Sequence, residues 1–351
     1  MSARPREVRI GLLGYGCVGS AVDRLVREQR DEIERATGLR FSVVRALVRD
    51  PGKLRDFQPP DGVLTSDFAD IRDDPSIDVA AEVMGGLIPT ERYVRELLAA
   101  GKPVASANKQ LLSRRGAQLA RASARAGLPL RFEAAVCGAV PVVRTLCEAL
   151  PPGTVRRITG IVNGTTNYVL GSMDEGCSFD EALASAKELG YAETDATEDL
   201  SGEDAAAKMA LLASVAFRRR VELEEVVWNG IEGISTDDLA AARADGRRIR
   251  LVGEAVTVDG SVAVRVVPTA LLAEDSLAQV PLAFNEIAVE GDGVGRLVLR
   301  GPGAGGLETA TSVVGDLIAL ASGGAASHVA RLAARRSPPI PTQSKLEVCG
   351  P

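Results

Sequence analysis

Asp204 and Lys208 stand four residues apart in an alanine-rich run, 205–216, whose composition predicts a helix, so both side chains share one face. A carboxylate beside an ammonium group can bind a substrate cation or hand a proton to a developing alkoxide. It can equally be a surface ion pair of small energy. The preceding residues add Glu193, Asp195, Glu198 and Asp199 around Gly190 and Gly202. The run from Gly190 to Gly202 is too irregular for a helix, and acidic loops often precede helices because carboxylates favour the positive end of the helix dipole. Glu193 offers a second carboxylate to the Asp204 pocket. Two carboxylates and a lysine suit a substrate with an ammonium group and a reacting oxygen.

A second set of residues suits a nucleotide. The apolar run Val8–Leu13 leads into Gly14-Tyr15-Gly16-Cys17-Val18-Gly19, and a helical pattern follows from Ser20. In a dinucleotide fingerprint the first glycine permits the turn, the second lets backbone approach the pyrophosphate, and the third allows close helix–strand packing. The phosphate sits on the helix N-terminus. The next strand, Phe41–Val48, runs into Arg49, with Asp50 and Lys53 beside it. Arg49 suits the 2′-phosphate of NADP and Asp50 the ribose hydroxyl of NAD, so NADP(H) is favoured and NAD(H) stays open. Ser106-Ala107-Asn108-Lys109 ends a strand of the same sheet, where open α/β sheets bind ligands; Lys109 there can face cofactor and substrate together. Asn163-Gly164-Thr165-Thr166-Asn167 offers amides, hydroxyls and backbone donors that can hold a carboxylate or simply cap a helix.

The elements that must position these groups alternate. Strands over Val8–Leu13, Phe41–Val48, Val79–Val83, Pro103–Ser106 and Leu130–Ala135 are separated by helical patterns, including one opening at Pro89-Thr90 and one over Leu111–Ala126. Such alternation predicts right-handed βαβ units and a parallel sheet. After about residue 140 the pattern changes. A strand over Val155–Val162 is followed by helices at Tyr168–Met173, Phe179–Leu189 and Ala205–Phe217. Strand pairs follow at Arg248–Val258 with Ser261–Pro268, turning at Asp259-Gly260, and at Ala283–Glu290 with Gly295–Arg300. A glycine-rich turn, Gly301–Gly306, leads to a last helix, Thr309–Ala321. The expected class is α/β: a Rossmann-type nucleotide-binding domain with a parallel sheet plus an α+β domain. The divisions are 1–137 for the nucleotide and 138–304 for the substrate. A closing helix within 305–336 returns to the first domain, and 337–351 is a proline-bearing tail, a strap or disordered.

Composition excludes several functions. At 351 residues the chain has room for two units of roughly 100–200 residues. A net charge of −6 and 3% aromatic residues argue against nucleic acid as a partner, which needs cationic surface and stacking platforms. No run approaches the ~18 consecutive apolar residues of a membrane span, and glycines break the apolar run behind Arg4, Arg6 and Arg9, so no secretory segment is expected. Five scattered cysteines without a CxxC pair and a single histidine, His328, make a zinc site poor and suit a reducing cytoplasm.

These motifs, in this order, resemble the homoserine dehydrogenase family, which interconverts L-aspartate 4-semialdehyde and L-homoserine with NAD(P)(H) on the way to threonine, methionine and isoleucine. The likeness runs from about Val8 to Ala321. It rests on Gly14–Gly19, on Ser106–Lys109 for the family's Thr-Ala-Asn-Lys, and on Glu133-Ala-Ala-Val-Cys-Gly-Ala-Val-Pro141. It continues through Ile161–Tyr168, Gly190–Lys208 and Gly301–Asp316. The resemblance implies that Lys208 donates the proton, that Lys109 serves the nicotinamide and phosphate side, and that Glu193 and Asp204 bind the substrate, an amino acid, with Asp199 close by. It implies cofactor contacts from Gly14, Gly16, Cys17, Val18, Gly19, Arg49, Ser106, Lys109, Gly190 and Gly305. It further implies a structural sodium ion held by Glu133, Val136, Gly138 and Val140, and a homodimer formed through the sheet of the second half.

Departures are Ser106 for Thr, Ala196 for the proline of Asp-Pro-Thr, and Cys137 where a small residue is usual. Many relatives carry a C-terminal ACT domain or a fused aspartate kinase; the chain ends soon after its closing helix, so neither is expected, nor is ACT-mediated threonine inhibition. A reductase of a specialised pathway acting on a related amino-acid aldehyde would share these motifs. A non-catalytic NADP-binding sensor would have no reason to keep Lys109, Glu193, Asp204 and Lys208 together.

Overall fold

The structure, a computed structural model, describes residues 4–258, 260–323 and 327–333. The tail 337–351 and the turn residue Asp259 lie outside them. The first sheet is built from β1 (Arg6–Leu13), β2 (Leu39–Leu47), β3 (Leu64–Thr65), β4 (Val79–Glu82), β5 (Val104–Ser106) and β6 (Leu130–Arg131), between which run α1 (Cys17–Glu28), α2 (Arg30–Thr37), α3 (Ala69–Arg72), α4 (Thr90–Ala99) and α5 (Lys109–Ala126). All its pairings are parallel, in the order β3-β2-β1-β4-β5-β6. Strand order reverses between β1 and β4, where Leu13 lies opposite Glu82. That crevice is where a doubly wound sheet receives its ligand.

Both faces of this sheet are covered, as parallel sheets require. Val8, Ile10 and Leu12 pack with Val22 and Val26 of α1, and with Val313 and Leu317 of a late helix, α12 (Gly306–Ser322). Leu13, Ala80 and Val104 pack with Val94 and Leu97 of α4 and with Leu111 and Leu119 of α5.

The crossover carries two short helical pieces, α6 (Val142–Arg144) and a wider turn at Thr145–Ala149. The second sheet contains β7 (Val155–Ile161), β8 (Val227–Trp228), β9 (Arg247–Val258), β10 (Ser261–Leu272), β11 (Phe284–Gly291) and β12 (Gly295–Pro302). Its order is β12-β11-β7-β9-β10-β8, antiparallel except for β10 with β8. The remaining helices are α7 (Gly164–Asp174), α8 (Phe179–Glu188), α9 (Thr197–Leu200), α10 (Glu203–Phe217), α11 (Thr236–Ala244) and α12 (Gly306–Ser322). Helices α7, α10 and α11 pack against this sheet, and α12 returns to α1.

Several elements differ from the sequence reading. The expected strand over Leu130–Ala135 stops at Arg131 and turns into a 3-10 helix at Glu133–Ala135. Helix α1 starts at Cys17, three residues earlier than expected, because the fingerprint loop is already its first turn. The Asn163–Asn167 segment is not a loop: Asn163 caps α7, its side chain accepting the Thr166 N–H at 2.8 Å. Within the irregular acidic segment, Asp195 accepts from the Thr197 N–H and hydroxyl and starts the short α9. Among the described residues no helix is long and apolar enough to cross a membrane.

Candidate active site

Gly14 and Gly19 behave as the fingerprint demands. Gly14 has a φ of +102°, and a Cβ there would meet the Val83 carbonyl and the Met84 backbone at 3.0 Å. A Cβ on Gly19 would lie 2.3 Å from the Gly14 oxygen, so helix and turn touch backbone to backbone. The amide ends of α1 thus open on a cavity of about 1490 Å³ at the crevice, lined by Gly14, Gly16, Cys17, Arg49, Lys53 and Gly306 among others. Val18 is half-buried and Gly19 buried behind it. Gly305 caps α12 beside this loop, and Gly190 is exposed at the end of α8.

The cations around the cavity are of two kinds. Arg24 is paired with Glu28, and Arg55 donates to the Asp50 carbonyl at 2.8 Å. Arg49 and Lys53 have no ion pair among the described residues. The Asp50 carboxylate, the competing group, is turned onto the Gly52 N–H at 2.9 Å.

The second cluster joins the two sheets. Helix α10 is apolar almost all round, with residues 205–207 and 209–213 buried, and so it lies inside the molecule. It carries Asp204 and Lys208 with it, only 2% and 13% exposed at their side chains. Lys208 Nζ donates to Asp204 Oδ2 at 2.8 Å and to the Val162 carbonyl, at the end of β7, at 2.9 Å. Lys109, the first residue of α5, donates to the other Asp204 oxygen, Oδ1. Asn163 Nδ2 bridges Asp204 Oδ2 at 2.8 Å and Asp199 Oδ1 at 2.7 Å. Thr165 Oγ1 donates to Asp199 Oδ2 at 3.1 Å, and Asn285 Nδ2 shares the Val162 carbonyl at 3.1 Å.

Burial alone would raise the Asp204 carboxyl, yet Lys208 and Lys109 outweigh it and hold the group well below the usual carboxylate range. Burial likewise works against the Lys208 charge, but Asp204 reverses the sign and pushes the lysine above its ordinary value. An ammonium has three donors; two are committed on Lys208, which leaves one for a reacting oxygen. Cys137 lies in the same neighbourhood with a φ of +60°, is buried, and its thiol is pushed up to about 11 by that burial. It is therefore a neutral thiol and no nucleophile at neutral pH.

Of the residues read from the sequence, Lys109, Asp204 and Lys208 come together and Asp199 joins them through Asn163. Glu193 does not: it is exposed, without a hydrogen bond or ion pair among the described residues. Glu198 accepts from Gln110 Nε2 at 3.1 Å. Ser106 is buried and its hydroxyl donates to Glu82 at 2.6 Å. The Asn163 bridge and Glu82 were missed. An acid inside an apolar strand run, just before Gly85-Gly86, is the signal that could have found Glu82.

The crossover residues Glu133, Val136, Gly138 and Val140 are an all-oxygen donor set of the kind a hard cation takes. Glu133 is buried, its oxygens accepting the Val143 and Arg144 N–H groups at 2.8 and 2.7 Å. Burial, reinforced by Asp316, pushes its carboxyl up to about 7. The Gly138 carbonyl also accepts from Ser312 Oγ at 2.7 Å. The oxygen chemistry of these residues suits a hard cation, while Asp316 is paired with Arg131 and Arg144 and the Val140 carbonyl accepts the Val142 N–H at 2.8 Å.

Comparison with known proteins covers both sheets. The family model described as "Homoserine dehydrogenase, NAD binding domain" matches residues 14–133, and that described as "Homoserine dehydrogenase" matches 141–318. The homoserine dehydrogenase of Bacillus subtilis is 39% identical over 316 residues, which cover 90% of this chain and 73% of the relative. The crystal structure of a homoserine dehydrogenase from Thiobacillus denitrificans superposes with a TM-score of 0.86 at 37% identity, over 90% of this chain and 74% of that one. A hyperthermophilic archaeal homoserine dehydrogenase in complex with NADPH has a TM-score of 0.74 over 90% of this chain and 98% of that one; at 24% identity this likeness speaks to the fold alone.

Proposed function

The chain belongs to the homoserine dehydrogenase family, NAD(P)-dependent oxidoreductases, and from that premise we propose how its own residues carry the reversible reduction of L-aspartate 4-semialdehyde to L-homoserine. The observation that carries the assignment of roles is the continuous chain Lys109–Asp204–Lys208 between the crevice of the first sheet and the end of β7.

Lys208 gives its uncommitted proton to the carbonyl oxygen as reduction proceeds, and its charge stabilises the alkoxide on the way. In the oxidation direction the same amine takes the hydroxyl proton. Asp204 keeps the lysine charged and fixed. Lys109, on its other oxygen, faces the cofactor side. Glu193 and Asp204 bind the substrate amino acid at its ammonium end, with Asp199 close by, and the capped start of α7 at Asn163 receives its carboxylate. When bound, the reduced nicotinamide supplies the hydride. The loop Gly14–Gly19, with Gly190, Ser106 and Gly305, frames that cofactor. Arg49 and Lys53, cations without ion pairs among the described residues and beside an Asp50 already used by Gly52, favour NADP(H) over NAD(H).

A sodium ion on Glu133, Val136, Gly138 and Val140 would steady the crossover without entering the chemistry; replacing sodium by choline should then lower Tm. The active form is a homodimer through the second sheet, working in the cytoplasm; light scattering that gives a monomer mass would overturn the former. The deciding assay is NADPH oxidation with L-aspartate 4-semialdehyde, repeated with NADH. No turnover with either cofactor ends the reading, and faster turnover with NADH ends the NADP preference.

A further inference from the structure

Glu82 ends β4 with its side chain wholly buried, and nothing in the reaction above uses it. A buried carboxyl is costly unless its oxygens are satisfied, and here four donors converge on it. Oε2 accepts from Ser106 Oγ at 2.6 Å. Oε1 accepts the Met84 and Gly85 N–H groups at 3.1 and 3.2 Å and a long contact from Asn108 Nδ2 at 3.5 Å. Burial nonetheless pushes the carboxyl up, with the Ser106 hydroxyl opposing it.

The donors come from two places. Met84 and Gly85 open the loop that forms one wall of the nucleotide cavity, and Met84 lines it. Ser106 and Asn108 lead into α5, whose first residue is Lys109. Asn108 is itself divided between these two sides. Its Oδ1 caps α5 on the Leu111 N–H at 2.9 Å, and its Nδ2 donates to the Gly86 carbonyl at 2.7 Å. Thr90, buried at the start of α4, donates to the Gly85 carbonyl at 2.9 Å and fixes the far end of the loop.

The geometry points to Glu82 as a positioning residue: its carboxyl group ties the cofactor wall at Met84–Gly86 to the start of the helix that presents Lys109, so that cofactor grip and lysine placement are set together. What matters is reach. A group at this position must span from the loop amides to the Ser106 hydroxyl, and an uncharged group of the same length does so as well as a carboxylate. This rests on the reading of Lys109 as a residue of the reaction, but its binding arm does not depend on turnover.

Three variants separate reach from charge. Glu82→Asp keeps the charge and loses a methylene; Glu82→Gln keeps the length and loses the charge; Glu82→Leu keeps the volume and loses both acceptors. NADPH affinity is measured by nucleotide fluorescence without substrate, and kcat by steady-state turnover, both well below each variant's Tm. The expected result is an NADPH Kd raised and a kcat lowered together in the Asp variant, each about tenfold as for a lost buried hydrogen bond. The Leu variant should be at least as impaired, with recovery to within about threefold in Glu82→Gln. An Asp variant that outperforms Gln would overturn the proposal in favour of charge. So would variants whose Tm falls while Kd and kcat stay at wild-type values, which is what a merely structural role predicts. If Leu does not fold, the Asp and Gln pair decides alone. A wild-type chain that binds NADPH but turns nothing over would sink the proposed reaction, while the binding arm would still report on Glu82.

Discussion

The crevice of the first sheet and the junction at α10 handle charge in opposite ways. Around the crevice, Arg49 and Lys53 have no ion pair among the described residues and stand beside an open cavity, and the glycine loop offers backbone in place of side chains. At the junction every charged group of the Lys109–Asp204–Lys208 chain is already partnered, and Asp204 and Lys208 are largely out of water. The difference follows from the work each does. A nucleotide brings its own negative charge, so unsatisfied cations and amides are a favourable reception for it. A proton donor must stay charged in a buried place before any substrate arrives, and only a permanent counter-ion can hold it so.

The largest effect should come from removing the donor. Lys208→Ala is expected to lower kcat by about 10²–10⁴-fold while the NADPH Kd stays within about twofold, since the partners of Lys208, Asp204 and Val162, do not line the nucleotide cavity. A parallel loss of NADPH affinity would show that the two regions are coupled. Next comes Asp204→Asn, which leaves Lys208 buried without its counter-charge. It should cost about 3–5 kcal/mol in urea unfolding, as for a broken buried pair. The pH sign follows from the two shifts. In the wild type the raised Lys208 keeps its proton beyond the ordinary lysine range, so reduction should not fall on that account below about pH 10. In Asp204→Asn burial is opposed only by Cys137 and Asp199, the lysine loses its proton earlier, and the alkaline limb of the reduction profile should move acidward by at least about one unit. An unmoved limb would break the account of Asp204 as the lysine's keeper. For stability, the pair is intact below the unfolded lysine value and lost as pH rises through the raised one. On the acid side it persists below the usual carboxylate range and is lost as pH falls through the depressed Asp204 value.

On the nucleotide side the effects should be smaller. Arg49→Ala should raise the KM for NADPH about tenfold, the worth of one hydrogen bond to a charged group, and leave the KM for NADH nearly unchanged. An equal change for both cofactors would remove Arg49 from the 2′-phosphate. The smallest effect is expected at Glu193. Exposed and unbonded in the structure, it can act only on bound substrate, so Glu193→Gln should raise the KM for L-aspartate 4-semialdehyde about threefold to tenfold without moving Tm. A change in Tm would mean a partner the ligand-free fold does not show.

How far the sequence speaks follows the same division. The fingerprint loop and its strand were legible because Gly14 and Gly19 answer to local sterics that any reader of spacing can apply. The Asp204–Lys208 pair was legible because four residues make one helical turn. The Lys109–Asp204 contact spans 95 positions, and no local period encodes it; family resemblance set Asp204 at the substrate and Lys109 on the nicotinamide and phosphate side, but only the packing of α5 on α10 joins them. The Asn163 bridge was hidden for a related reason. Read locally, its amide is a cap, and its second role exists only where Asp199 and Asp204 are brought to it. Elements β8 and α11 escaped notice because Val227–Trp228 is a strand only by virtue of lying beside β10. Glu193 is the opposite case: sequence proximity and family resemblance put it at the pocket, while the ligand-free fold gives it no hydrogen bond or ion pair among the described residues.

The Lys109–Asp204 contact also makes the enzyme a gauge of its own assembly. One partner rides on the helix of the first sheet and the other on the helix of the second. A splay between the two halves would part this ion pair, leaving half of the Asp204 charge unanswered and the proton donor less firmly held. Folding each half correctly is therefore not enough for chemistry. Turnover becomes a reporter of how well the halves are seated, and agents that loosen that seating should silence the protein before they unfold it.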